Sequence, residues 1–252
     1  MRAVRDERRG VDAGAFLIGT GKTISIGPQA YDGWRATSLG ALTETLEQRL
    51  MLDLLGDLAG ARVLDIGCGD GALVRALAAR GAMAVGVDPD PAMLTAARQR
   101  DAEANIFANF LEARAESLPF PDASFDVAVA VTVLCFVPDA KAAVREMARV
   151  LRPGGRLVLG ELGRWSLWAL MRRFRGWLGS ATWSSAQFRD AGELRALAEA
   201  AGLTVTATRG AIFYPPAGWL ARALAPIDPW LGRRATVGAA FIALVATRPK
   251  DR

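Results

Sequence analysis

VLDIGCGDGAL, from Val63 to Leu73, decides how this chain is read. Val63, Leu64 and Ile66 make a short apolar run, and Gly67, Gly69 and Gly71 alternate behind it. Ala72 to Arg80 then has helical spacing, with Leu73, Ala76 and Leu77 on one side. The order is strand, glycine loop, helix. Glycine tolerates positive φ and, lacking Cβ, lets ligand atoms approach the main chain. Taken alone, such a loop also suits a tight turn that binds nothing.

Asp88 narrows the choice. It closes the next apolar run, Ala84 to Val87, about 20 residues downstream, where nucleoside-binding folds set a carboxylate on the ribose hydroxyls. A charged acceptor there contributes roughly 1.5–3 kcal/mol. Asp88 also suits a helix N-cap before Pro89, although Asp90 is available to cap the helix packed by Met93, Leu94 and Ala97. Charge then separates the nucleotides. A pyrophosphate wants helix N-terminal amides free of competing anions, yet Asp65 precedes the loop and Asp70 lies inside it. A ligand with a cationic end, such as S-adenosylmethionine with its ammonium and sulfonium, suits this loop better than NAD or FAD.

Here the sequence resembles the class I S-adenosylmethionine-dependent methyltransferases, in particular the UbiE/Coq5-like (methyltransferase type 11) group. The resemblance covers roughly Tyr31 to Leu162 and rests on motifs in order: VLDIGCGDG, VGVDPDPAML, RAESLPFPDASFDVAVAVTVL and LRPGGRLVLGEL. It implies Asp65 near the methionine end of the cofactor, Gly67 and Gly69 lining it, Asp88 on the ribose and Met93 against the adenine. Tyr31, Cys68, Pro89, Ala115, Glu116 and Thr132 complete the implied cofactor set. Where such proteins commonly read Asp-Ala-Glu, this chain has Arg114, Ala115 and Glu116. Glu116 or a backbone group near Ala115 is then left to accept from the adenine amine.

The fold class implied is α/β: a Rossmann-like, seven-stranded, mostly parallel sheet with helices on both faces, the last strand antiparallel, and a helical, aromatic cap. Strands are expected near 62–66, 84–88, 106–111, 125–132, 155–161, 203–210 and 239–247, since strands alternating with helices favour a parallel, doubly covered sheet. The helix Ala191 to Ala201 ends at Gly202, suited to a left-handed C-terminal cap. Residues 1–30 are expected to form a flexible arm and 31–252 a methyltransferase domain, with cap insertions near 163–190 and 211–236.

Composition supports one large domain, with 252 residues and 52% hydrophobic content. The opening MRAVRDERRGVDAG is charged and lacks an apolar core, so it reads neither as a signal peptide nor as an anchor. GTGKT at Gly19 to Thr23 lacks the upstream glycine of a phosphate loop, because position 16 is Phe. Cys68 and Cys135 provide no disulfide framework or metal spacing, and a reducing cytoplasm is the natural setting. Histidine is absent, which removes the usual general base, triad member and zinc ligand; no metal site is expected. The net charge of +5 comes from arginines spread over many helices, and no nucleic-acid motif accompanies them.

One segment departs from that pattern. RWSLWALMRRFRGWLGSATW, Arg164 to Trp183, mixes aromatic residues with Arg172, Arg173 and Arg175. It suits a lid over an apolar substrate, a helix at a membrane interface, or an amphipathic helix packed on the core. It is too short and too charged to span a bilayer. YPPAGWLARALAPIDPWLG, from Tyr214, is expected to complete the substrate side.

Trp34, Phe136, Trp165, Trp168, Phe188 and Tyr214 are the candidate substrate walls, fitting an apolar or aromatic small molecule. Methyl transfer needs alignment above all, worth about 7–11 kcal/mol. If the acceptor is a hydroxyl, the candidate bases are Glu161, Tyr31 and Tyr214, each of which also has a structural role open to it. The function expected is methyl transfer from S-adenosylmethionine to a small acceptor by a cytoplasmic enzyme. The alternatives are a peripheral enzyme at the inner membrane face, acting on a lipid or quinone-like acceptor through 164–183, and a noncatalytic S-adenosylmethionine-binding module.

Overall fold

The computed structural model describes residues 27–106 and 108–250. The strands β1 (Arg62–Ile66), β2 (Met83–Asp88), β3 (Asn109–Glu112), β4 (Phe125–Val131), β5 (Leu151–Leu162), β6 (Thr204–Ala211) and β7 (Phe241–Thr247) join in one sheet of order β3-β2-β1-β4-β5-β7-β6. Pairing is parallel from β3 through β5, while β7 runs antiparallel to both β5 and β6. Each expected strand is present. β3 starts later than expected because the chain before it is still closing a helix, with Asn105 left-handed and the Ile106 N–H donating to the Asp101 carbonyl.

The apolar runs predict burial on both faces, and β4 shows how it is achieved. Ala128 and Ala130 join Leu64, Ile66, Leu157 and Leu159 on one face, whereas Val127 and Val129 join Val63 and Val158 on the other. The first face is covered by α5 (Ala140–Val150) and α8 (Ala191–Ala200), the second by α2 (Ser38–Leu55). The flanking helices on the β1–β3 side are α3 (Ala72–Ala78) and α4 (Pro91–Ala104). Local signals fix the helix ends. Asp190 and Glu193 form a capping box on α8, and Gly202 beyond it takes φ +79°.

The chain leaves β1 for β2 and β3 on one side and returns to β4 on the other. A crevice therefore opens between the carboxyl ends of β1 and β4, the usual ligand position in open α/β sheets. Helix α1 (Pro28–Ala36) lies at this end. It begins inside the stretch expected to be an arm, with Pro28 at its first turn; GTGKT and the rest of 1–26 lie outside the described residues. The stretch 163–190, expected as a cap insertion, holds α6 (Leu167–Trp177) and α7 (Ala181–Ser185), separated at Gly179, whose φ is +97°. The stretch 211–236 holds α9 (Gly218–Leu224) and α10 (Asp228–Gly232). Among the described residues, no helix is long and apolar enough to cross a membrane.

Candidate cofactor and acceptor site

The three loop glycines do different work. All have positive φ, at +70° for Gly67, +52° for Gly69 and +76° for Gly71. A Cβ on Gly67 would lie 2.4 Å from Val133 Cγ2, and one on Gly71 would lie 2.9 Å from Phe110 Cζ. A Cβ on Gly69 would meet nothing within 4 Å. The outer glycines let the loop pack, and the middle one presents bare backbone to the crevice.

The loop amides are already engaged. Gly67 and Cys68 donate to the Val87 carbonyl at 2.7 and 2.9 Å, Gly71 donates to the Cys68 carbonyl at 3.0 Å, and Gly69 donates to Asp88 Oδ2 at 2.9 Å. A pyrophosphate would need those N–H groups. This is a stronger reason against NAD or FAD than the acids in the sequence.

Asp88 also accepts the Asp90 N–H at 2.9 Å, while Asp90 caps α4 through the Ala92 N–H. Asp88 is thus the loop anchor rather than the helix cap, and burial raises its pKa. Asp65 is buried and makes no side-chain hydrogen bond or ion pair among the described residues. Burial, with Asp88 nearby, holds its pKa well above the usual carboxylate range. Asp70 corrects an expectation, because its charge is not offered to a ligand. Arg35 and Arg100 both bind its carboxylate, which also accepts the Ala72 N–H at 3.3 Å. Arg35 reaches on to Glu44 at 2.7 Å and Arg100 to Asp32 at 2.7 Å. Helix α1 is thereby tied across the loop to α4.

At the end of β4, Thr132 takes φ +54° and its N–H donates to the Gly160 carbonyl at 2.7 Å. The next residues, Val133, Leu134 and Cys135, donate to the Glu161 carboxylate at 3.1, 2.8 and 3.1 Å. Glu161 is 1% exposed, and burial pushes its pKa up to about 7. With both oxygens bonded to backbone, it builds the loop and is poorly placed to take a substrate proton.

Cys68 turns beneath the loop into a cluster with Val74, Leu94, Ala97 and Phe110, so its side chain does not line the crevice. Burial raises both the Cys68 and the Cys135 thiols, which makes them poor nucleophiles. Met93 and Ala115 are buried and Pro89 is half-buried. The Glu116 carboxylate accepts from Arg114 at 3.1 Å, so the residue that departs from the motif pairs with the acid that remains.

On the acceptor side, four of the predicted wall residues come together. Trp34 meets Trp168 edge-on at 5.8 Å, Phe136 lies 6.4 Å from Trp183, and Trp183 stacks on Phe188 at 6.4 Å. The Arg172 guanidinium sits 5.2 Å from the Trp168 ring and 4.9 Å from the Trp183 ring. Trp183 and Arg172 were not predicted as wall residues, although both lie in the segment that stood out. Trp165 is no wall: it is 58% exposed, and its carbonyl accepts from Gly238. Nor is Tyr214, which is buried behind Trp168, with its hydroxyl 3.1 Å from Thr43 Oγ1 and its carbonyl accepting from the Trp168 indole. Tyr31 is half-buried with Arg35 over its ring, and burial pushes its hydroxyl up to about 12. Tyr214 is likewise raised to about 12 by burial. Both phenols hold their protons at neutral pH. Glu47 of α2, which no sequence motif marks, is half-buried, and its burial raises it to about 7.

Residues 64–159 match the family model described as a methyltransferase domain. A ubiquinone biosynthesis O-methyltransferase from Idiomarina loihiensis is 36% identical over 172 residues, covering 65% of this chain and 70% of that protein. A demethylmenaquinone methyltransferase from Tropheryma whipplei is 40% identical over 134 residues, 53% of this chain and 54% of that one. A solved S-adenosylmethionine-dependent methyltransferase from Thermotoga maritima, described as a possible histamine N-methyltransferase, aligns with a TM-score of 0.66 at 25% identity, covering 87% of this chain and 95% of its own.

Proposed function

Because the chain belongs to the class I S-adenosylmethionine-dependent methyltransferases of the UbiE/Coq5-like group, we propose that its methyl acceptor is a hydroxylated, quinone-related ring with an apolar tail. The chain is an enzyme of methyl transfer, not a noncatalytic binding module, and its cofactor is S-adenosylmethionine. When bound, that cofactor supplies an electrophilic methyl group on a sulfonium. Asp88 is suited to the ribose hydroxyls, since each of its oxygens keeps a lone pair beyond its backbone bond. Asp65, buried and lacking a partner among the described residues, suits the cationic methionine end, because an unpaired buried carboxylate costs several kcal/mol. The open face of Gly69, with Thr132, Tyr31, Met93 and Ala115 around it, suits the rest.

The observation that carries the acceptor class is the aromatic group Trp34, Phe136, Trp168, Trp183 and Phe188, gathered by α1, α6, α7, the segment after α7 and the loop after β4, with Arg172 stacked on Trp168 and Trp183 and Arg173 on Phe188. Apolar walls with few polar groups favour a flat, largely apolar ligand. The quinone-biosynthesis names of the relatives support a ring of that kind. The test is transfer of labelled methyl from S-adenosylmethionine to 4-alkylcatechols and to histamine in parallel. Methylated catechol is expected, and transfer to the amine alone would refute the reading.

A second reading adds a location. Leu170, Phe174 and Trp177 of α6 and Leu178 just after it point outward, with Trp177 81% exposed, and Trp219, Trp230 and Val237 are also exposed. Arg173, Arg175, Arg222, Arg233 and Arg234 accompany them. The one acid within 164–189 and 212–240 is Asp228, which is buried and accepts the Ile212 and Phe213 N–H groups. An apolar, cationic face of this kind suits an anionic lipid surface. Flotation with phosphatidylglycerol vesicles checks it, and recovery of all protein in the unbound fraction would refute it.

A further inference from the structure

Glu47 occupies an unusual place on α2. Gly40, Thr43, Met51 and Leu55 are buried, and Glu47, itself half-buried, falls in the same stripe, four residues after Thr43 and four before Met51. A carboxylate on the inward stripe of a helix calls for a partner, yet Glu47 makes no side-chain hydrogen bond or ion pair among the described residues. Facing it from α6 is Arg172, held between the Trp168 and Trp183 rings and likewise without a hydrogen bond among the described residues. The two charges feel one another but do not close to an ion pair. Tyr214 ties the two helices together here, since its carbonyl accepts the Trp168 indole N–H at 2.9 Å and its hydroxyl lies 3.1 Å from Thr43 Oγ1, one turn before Glu47. The charges of this cluster also act on Tyr31 of α1 and Cys135 after β4.

We infer that the acceptor's reacting oxygen sits between these two charges, with Glu47 as the catalytic base and Arg172 as the donor that holds the oxyanion. This rests on the hydroxylated-ring reading above. Glu47 takes the hydroxyl proton. The freed oxygen lone pair forms the new O–CH3 bond as the C–S bond breaks, its electron pair staying on sulfur as a neutral thioether. The proton then leaves Glu47 for solvent. Arg172 keeps its charge throughout and supplies planar donors to the oxygen.

Two features fit the assignment. The chain has no histidine, and Glu161, Tyr31 and Tyr214 are each bonded away or too weakly acidic. Burial raises Glu47 to about 7, with Glu44 on the same helix acting in that direction and Arg172 opposing it. From the other packed elements, Tyr31 of α1 and Tyr214 beyond β6 feel Glu47 as neutral phenols, Arg35 acts on Tyr31, and Arg175 and Cys135 act on Arg172. A base near 7 is matched to work at neutral pH.

The test uses the full chain, S-adenosylmethionine and two probes, 4-dodecylcatechol and 4-nitrocatechol, the latter already ionised near neutral pH. For wild type with the alkylcatechol, kcat/KM should rise with pH and level off near 7. E47Q should lose about 100-fold or more with the alkylcatechol at pH 7, far less with the nitrocatechol, and should bind S-adenosylmethionine as wild type does. R172A should lose activity on both. If E47Q lowers both probes alike, or neither, Glu47 is not the base, while the acceptor reading stands. If wild type methylates neither catechol, the acceptor reading falls and this inference with it.

Discussion

The Gly69 N–H donates to Asp88 Oδ2 at 2.9 Å, so the one loop glycine that faces open space is held by the acid at the end of the neighbouring strand. The residue suited to the ribose therefore also shapes the backbone beside it. Asp88→Ala should weaken S-adenosylmethionine binding on the order of 10- to 100-fold, equivalent to roughly 1.5–3 kcal/mol, and should lower the melting temperature of the unliganded chain. Calorimetry and a thermal melt read the two effects separately. Wild-type affinity in the variant would remove Asp88 from the cofactor site.

Gly67 and Gly69 should respond differently to alanine. At Gly67 the new methyl collides with Val133, so overpacking of about 1–3 kcal/mol adds to the backbone strain. At Gly69 only the positive φ is penalised, by about 1–2 kcal/mol, because the space above it is open. Urea melts should rank Gly67→Ala as the less stable. Gly69→Ala should show the larger fall in cofactor affinity per kcal/mol of stability lost, and equal ratios would argue against ligand contact at Gly69.

Asp70 draws Arg35 and Arg100 together, and its replacement leaves two neighbouring guanidiniums without their shared anion. No residue of α1 is buried, so the helix is expected to loosen locally. Asp70→Asn should speed deuterium uptake over residues 28–36 and, because Asp70 itself is buried, lower global stability by about 1.5–3 kcal/mol. Wild type in about 1 M salt, where the screening length is about 3 Å, should move toward the variant. Unchanged uptake in both would mean that packing, not charge, holds the helix.

The pH dependence of stability follows from carboxylates that burial raises. Glu161 and Glu47 both move from 4.5 to about 7, and Asp88 and Asp228 move up from 3.8. Each folded group holds its proton more tightly than the unfolded chain does, so the stability it contributes is complete at low pH. That contribution is lost as pH rises through the folded values. Asp65, held well above the usual carboxylate range, acts in the same direction, so unfolding free energy should fall steadily as pH rises from about 4.5 through 7, with no histidine to confuse the window. Glu161→Gln should reduce the slope and, measured at pH 8, cost about 1–3 kcal/mol, because one of its three backbone donors would face an amide N–H. A flat wild-type profile would contradict this.

The sheet was legible because its strands are apolar runs of the right length, and the glycine loop because each glycine answers a local requirement. The partners of Asp70 were not legible, since they come from 35 residues before and 30 after and no local pattern marks them. Trp183, part of the aromatic segment, was not legible as a wall residue for a related reason. The turn at Gly179 brings α7 back so that Trp183 stacks on Phe188, whereas Trp165, just ahead of α6, faces out. Glu47 was hidden by its chemistry: a glutamate in a helix reads as solvent-facing, and only the burial of Thr43 and Met51 on either side reveals the stripe it shares.

Helix α6 carries Arg172 on the side of the aromatic cleft and Phe174 and Trp177 on the outside. A single helix thus has one flank toward the proposed acceptor site and the other toward the surroundings. For an acceptor dissolved in lipid, this makes the relevant concentration two-dimensional. Turnover by enzyme seated on vesicles would track the mole fraction of acceptor in the bilayer, and adding inert lipid would slow it at constant total acceptor.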